Sequence, residues 1–320
     1  MKNVKLIGIP FDFGQDHQGV REAADYLKGN SLVEKLNKIA PSIDLGNIKL
    51  PFKNYVTSEH CAIKHSLQSS NANETIFQAI ENENISESFL LNIGGDHGMS
   101  LGTIHGILSK RPDTIVVWAD AHGDINTPEV SPSGNFHGMP LAFLLDEARH
   151  EDFKWVKNFI KPEKLILIGP RDLDEGEKEI IQRLKIQYFS SEELDILGAK
   201  AILEMALHRA DPTGMCPIHL SFDVDLCDQK DLQSTGTKVP HGPMLEEIFL
   251  MSEILAQTGR LRSMDVVEFN PLIGSKFEVD TSANLIEAFI INTIDQVFTC
   301  NDLIRLPNTP IPMQKDALIS

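Results

Sequence analysis

The chain has 320 residues and a mass of 35.6 kDa, with 42% hydrophobic and 23% charged residues. Such a chain can bury a sizeable core, and its composition excludes a disordered, collagen-like or disulfide-stapled protein. Lys and Arg number 29 against 46 Asp and Glu, a net charge of −17, which argues against nucleic-acid or anionic-membrane partners and suits a cationic substrate.

The predicted elements alternate along the chain. Short apolar runs bounded by turn residues predict strands over 4–9, 89–93, 115–119, 164–168, 218–222 and 263–267. Stretches of helical character lie at 22–36, 75–81, 101–108, 141–145, 175–184, 199–209 and 245–257. This alternation predicts an α/β protein: one domain over 1–306, built on a mostly parallel sheet with helices on both faces. The tail over 307–320 carries three prolines and reads as irregular or packed on a neighbour. The first apolar run meets Pro10 and Asp12, too soon for a signal peptide, and no run of about 18 apolar residues occurs. Cys61, Cys216, Cys227 and Cys300 include no C-x-x-C pair, as expected of free thiols in a reducing compartment. A cytoplasmic enzyme is expected.

Polar clusters follow four of the strands, and ligands of open parallel sheets bind at the carboxyl ends of strands. The first cluster is Gly94-Gly95-Asp96-His97. Its glycines allow a sharp turn, and His97 by itself reads equally as a turn cap. The second is Asp120-Ala121-His122-Gly123-Asp124. Residues two apart in an extended chain share a side, so Asp120, His122 and Asp124 are expected to converge. Three ionisable groups at the end of an apolar strand are costly to desolvate unless a cation joins them; a solvated turn is the plainer alternative. The third is Asp223-Val224-Asp225, again two carboxylates on one side that need a partner or a proton. Carboxylates with a minority of imidazoles suit Mn2+ over Fe2+, Co2+ or Zn2+. Six ligands exceed the needs of one catalytic ion. Two ions sharing bridging carboxylates would use them all and could hold one hydroxide. Cys227 is expected to serve packing.

GGDH, DAHGDIN, SGNFHGMP, SFDVD and STGTKVP, with the opening GIPFDFGQDHQGV and the later VVEFNP, resemble the ureohydrolase family over nearly the whole chain, and within it most closely the arginases. The resemblance implies one manganese on His97, Asp120, Asp124 and Asp223 and another on His122, Asp120, Asp223 and Asp225. It implies hydrolysis of L-arginine to L-ornithine and urea by a bridging hydroxide, as part of arginine metabolism and the urea cycle. Asp124 would pass a proton to the leaving amine, His137 would shuttle protons, and Glu268 would orient the guanidinium. Asn126 and Ser133 would meet the substrate carboxylate, Asp174 and Glu177 its ammonium, and Thr237 would line the pocket. A homo-oligomer, trimer or hexamer, is also implied.

Departures from the family pattern stand at Ala23, Ala24, Gly98, Gly123, Gln229 and Pro240-His241-Gly242. The rival readings are an agmatinase or other guanidino-compound hydrolase, a single-zinc deacetylase on the same kind of sheet, and a catalytically silent protein of this fold.

Overall fold

Aliphatic and β-branched runs form most of the strands. They are β1 (Asn3–Ile9), β2 (Ser42–Asn47), β3 (Ser88–Gly94), β4 (Ile115–Ala119), β5 (Leu165–Gly169), β6 (Gln187–Ser190), β7 (Ile218–Asp223) and β8 (Leu261–Val267). The computed structural model describes residues 1–50 and 62–305, with side chains as far as residue 300. Cys61 and the tail expected at 307–320 lie outside the described residues. Every strand pairing is parallel, in the order β2-β1-β3-β8-β7-β4-β5-β6.

A sheet of this kind is covered on both faces, which is why its central strands read as unbroken apolar runs. Val117 and Ala119 of β4 pack into one core cluster, while Val116 and Trp118 pack into the other. The same alternation puts Ile166 and Ile168 of β5 on one side and Leu165 and Leu167 on the other, as the two-residue period of a strand requires. Polar contacts also sit inside the sheet. Asn92 of β3 donates to Asp265 of β8 at 2.7 Å, and His219 of β7 lies 2.9 Å from the Ser263 hydroxyl.

The helices are α1 (Ala23–Gly29), α2 (Leu32–Ile39), α3 (Ser66–Asn82), α4 (Ser100–Lys110), α5 (Pro140–Leu144), α6 (Glu175–Leu184), α7 (Ser191–Ala210), α8 (Leu245–Gln257) and α9 (Lys276–Arg305). Several differ from expectation. The helix expected over 22–36 is two, because Ser31 takes a left-handed φ of 71° that no helix interior tolerates. Helix α3 begins nine residues earlier than predicted: Ser69, Ser70 and Asn73 are buried, and the Asn73 side chain accepts from the Gly102 N–H of α4 at 2.8 Å. Helix α7 starts at a Ser190–Glu193 capping box and bends at Gly198.

Strands β2 and β6 were not expected, nor was α9. Both strands lie at sheet edges, where half-exposed SIDLGN and QYFS need no apolar run. Helix α9, 30 residues long, does carry a readable stripe of Val279, Ala283, Ile286, Ile290, Ile294 and Val297, all buried. Among the described residues no helix is long and apolar enough to cross a membrane, and Cys216, Cys227 and Cys300 are free thiols.

The topology determines where chemistry can gather. Strands β3, β8, β7 and β4 are consecutive neighbours at the centre of the sheet. They are the four strands whose carboxyl ends carry GGDH, EFN, DVD and DAHGD.

One buried histidine gives a stability test away from that rim. The His105 Nε2 accepts from the backbone N–H groups of Lys157 and Asn158 at 2.8 and 3.0 Å, which requires a neutral ring. Burial lowers its pKa from 6.5 to about 4. The folded value lies below the unfolded one, so the unfolded state binds more protons between the two. Stability is therefore full above pH 6.5 and falls as the pH drops towards about 4. The melting-temperature gap between the protein and His105→Gln should narrow across that window; a gap independent of pH would contradict a neutral His105.

Candidate metal centre

The GGDH turn is shaped by a close approach. A side chain at Gly95 would land on the Phe11 carbonyl oxygen, and that oxygen accepts from the Asp96 N–H at 2.9 Å. Asp96 caps the turn that follows, accepting from Gly98 N–H at 3.0 Å and Gly14 N–H at 2.8 Å. His97 is thereby buried beneath the rim. Its ring stacks on Trp118 at 3.8 Å between centroids, and its Nε2 lies 2.8 Å from the Ser221 hydroxyl.

The other ring nitrogen faces a crowd of acids. His97 Nδ1 stands 2.9 Å from Asp120 Oδ2, 3.0 Å from Asp124 Oδ2 and 3.1 Å from Asp223 Oδ2. It makes no hydrogen bond of acceptable geometry to any of them. A ring nitrogen has one lone pair or one hydrogen and cannot serve three acceptors; a cation among the four atoms can. His122 Nδ1 stands 3.4 Å from Asp120 Oδ1 and 3.1 Å from Asp225 Oδ2. His97, Asp120 and Asp223 thus form one group able to hold a metal ion, and Asp120, His122 and Asp225 form another.

Asp120 belongs to both groups, one oxygen to each. Its Oδ2 also accepts from the Trp118 indole at 2.9 Å, and its Oδ1 from the His122 N–H at 2.7 Å. Asp223 turns Oδ2 to His97, while its Oδ1 accepts from the Asp225 N–H at 2.8 Å. Asp225 Oδ2 accepts from Thr237 at 3.0 Å.

D-x-H-x-D does not converge as a plain strand would. The segment leaves β4 as an irregular loop, and Asp124 takes a left-handed φ of 50°. Asp120 therefore spans both histidines, His122 turns to Asp225, and Asp124 turns back to His97. Glu268 is a second left-handed residue, with φ 68°. Each such backbone costs on the order of 1–2 kcal/mol, a strain that collects at functional sites.

Charge is the central problem of the cluster. Burial by itself would depress His97 and lift Asp120, but contacts with Asp120, Asp124 and Asp223 raise His97 well above its usual value, and His122 and His97 together hold Asp120 well below. Burial pushes Asp124 up to about 7 and Asp223 well up, with neighbouring carboxylates adding to both. Four carboxylates, Asp120, Asp124, Asp223 and Asp225, against two histidines leave a charge of −2 even with both rings protonated. With both rings neutral the charge is −4, which two divalent ions would cancel and one would not. The donor set fits a pair of such ions.

A pocket of about 140 Å3 opens beside the cluster, lined by His122, Asp124, Asp223, His137 and Thr237 and by Asn126, Ser133, Asp174 and Glu177. Asn126 donates to Asp174 at 2.8 Å, and its Oδ1 is buried with no hydrogen-bond partner. Glu177 is buried and accepts from the Asp174 N–H at 2.9 Å in a capping box at the start of α6; burial lifts its pKa to about 8. Glu268 does not line the pocket wall. It accepts from Gln15 at 2.5 Å, the His97 N–H at 2.9 Å and His137 Nδ1 at 3.1 Å.

Gln15, Trp118, Ser131 and Asp172 were not singled out from sequence. Ser131 and Asp172 line the pocket and stand two residues from Ser133 and Asp174, so the spacing logic applied to D-x-D would have found them. Gln15 and Trp118 carry no local signal, since only tertiary contact reveals them. At Gly123 a side chain would press on Leu173 and Glu177. His241 lines a different, open cavity with Arg171 and Ser190.

Comparison with known proteins agrees with this geometry. Residues 2–292 match the Arginase family. An arginase of Schizosaccharomyces pombe is 36% identical over 299 residues, covering 92% of each chain. The structure of arginase from Bacillus caldovelox superposes with a TM-score of 0.84 at 32% identity, covering 93% of this chain and 98% of that one. An Entamoeba histolytica arginase solved in complex with L-ornithine gives 0.81 at 30% identity, covering 93% and 99%. With the sheet order, the paired histidine–carboxylate groups and the match over residues 2–292 in agreement, the chain belongs to the arginase family, hydrolases that act on guanidino or amidino groups.

Proposed function

We propose that the chain hydrolyses L-arginine to L-ornithine and urea. Two divalent ions, manganese by preference, are held by His97, Asp120, Asp124 and Asp223 and by His122, Asp120, Asp223 and Asp225. The observation that carries this reading is the pair of histidine–carboxylate groups joined through Asp120 beside a pocket with amide, hydroxyl and acidic groups on its outer wall. Similarity to arginases, one of them solved with L-ornithine, supports the choice of substrate.

When bound, the ions supply a water acidic enough to act as a nucleophile at neutral pH. The rest falls to the chain's own side chains. The cationic guanidinium enters among carboxylates. Glu268 orients it from behind His137, the pocket-lining residue it touches: a carboxylate has about four lone-pair sites, three are taken by Gln15, His97 and His137, and one remains for a guanidinium that reaches past His137. His137 would be depressed by burial, but Glu268 raises its pKa to about 9. It therefore holds a proton at neutral pH and exchanges it with solvent through the pocket. Asp124 hands a proton to the leaving amine.

At the outer wall one Asn126 N–H is given to Asp174; the other, with the Ser133 hydroxyl, meets the substrate carboxylate. Asp174 and Glu177 answer the α-ammonium, and Thr237 holds Asp225 in line.

Urea release after reconstitution with Mn2+, Co2+, Fe2+ or Zn2+, measured on arginine and agmatine in parallel, tests the reading. Arginine should be the better substrate, and metal analysis should return two ions per chain. One ion would favour the deacetylase, and two ions without urea a silent protein. Replacing His97 by Asn should remove metal and lower turnover on the order of 100-fold; full activity in that variant would refute its role as a ligand. Asn126→Ala or Ser133→Ala should raise KM for arginine roughly tenfold, the worth of a lost bond to a charged group, and leave agmatine nearly unchanged. An equal effect on both substrates would remove the ground for preferring arginine.

A further inference from the structure

A second polar site lies at the opposite rim, where the central strands begin. There an open cavity of about 430 Å3 is lined by Ser86, Glu87, Arg111, Met215, Pro217 and Arg262, with Met1 at its edge. Arg111 directly follows α4, and Arg262 is the second residue of β8. A strand of seven residues separates Arg262 from the metal-centre rim by about 20 Å.

Two guanidinium groups thus share one cavity, and both are half-buried. Arg111 Nη2 donates to the Ile85 carbonyl at 2.5 Å, while its Nη1 is buried with no hydrogen-bond partner. Arg262 makes no side-chain hydrogen bond or ion pair among the described residues. The one carboxylate in the lining, Glu87, is largely exposed and paired with Lys2 at 2.6 Å. Burial disfavours both charges, and Arg262 adds repulsion at Arg111. A guanidinium does not escape this by losing its proton, so the pair carries an unmet demand for negative charge. In a chain of net charge −17 acids are plentiful, yet among the described residues none pairs with these two arginines.

We propose that Arg111 and Arg262 form a binding site for a small doubly charged oxyanion, a phosphate or the phosphoryl group of a metabolite. The planar fork of each guanidinium matches two oxygens of such a group, and a dianion cancels both charges where a monoanion leaves one. Met215, 80% exposed, and Pro217 offer an apolar edge for an organic remainder.

The test is calorimetric titration of the metal-loaded protein at constant ionic strength, with inorganic phosphate in one series and glycerol 2-phosphate in another. Sodium chloride is the control, and Arg262→Gln, Arg111→Gln and the double variant are run beside the parent. We expect one phosphate per chain, affinity at least roughly tenfold weaker in each single variant, and no binding at this site in the double variant. Equal binding of the monoester identifies the ligand as a phosphorylated metabolite; binding of phosphate alone identifies the free ion. Affinity unchanged in the double variant, or no heat beyond the chloride control in the parent, overturns the proposal. Arg262→Gln breaks no hydrogen bond and relieves the repulsion, so without anion its melting temperature should equal or exceed the parent's. A lower value would reveal a counter-charge already in place and would also overturn it.

Discussion

Four carboxylates held within reach of two imidazoles, at the carboxyl ends of β3, β7 and β4, are the constraint on which the rest of the structure depends. Asp120, Asp124, Asp223 and Asp225 are all buried, and like charges so placed repel unless cations lie between them. The two histidines of the cluster, His97 and His122, cancel at most half of that charge. The cluster stays together because the scaffold beneath it is rigid, and it becomes electrically neutral only with metal.

That rigidity can be followed through particular contacts. Trp118 stacks on His97 and donates to Asp120. Ser221 lies against the far nitrogen of His97 and within 3.3 Å of the Ser100 hydroxyl, which in turn donates to the buried Asp265. Asn92, Thr103 and His219 complete the shell of Asp265. The N-terminal loop closes the site from above: Gly14 donates to Asp96 and accepts from the His137 N–H, and Gln15 reaches Glu268. Groups that orient a ligand's second atom set its tautomer and basicity, so these buried polar residues belong to the site as much as the ligands do.

The two rims of the sheet show opposite polarity. At the carboxyl ends, acids gather without sufficient cations. At the amino ends, Arg111 and Arg262 share a cavity whose one lining carboxylate, Glu87, is paired with Lys2. Strand β8 links them, with Arg262 near one end and Glu268 just past the other. In both places the imbalance is kept by burial and by neighbours that are themselves already committed.

Much of this was legible from residue order. Unbroken apolar runs marked β3, β4, β5, β7 and β8 as doubly covered strands, and the two-residue spacing in DAHGD and DVD marked carboxylates able to share a cation, because both signals are local. Edge strands β2 and β6 lacked the apolar run on which that reading relied, and the stripe of α9 was present but unread. Tertiary structure alone decided that β8 and β7 insert between β3 and β4, which brings loops from four distant parts of the chain to one point. It also decided that Asp120 spans both histidines, that Gln15 and Trp118 are supports, and that two arginines line one cavity at the far rim. Spacing along a chain determines which side chains share a face over a few residues; strand order, backbone turns at Asp124 and Glu268, and burial are settled only when the whole sheet packs.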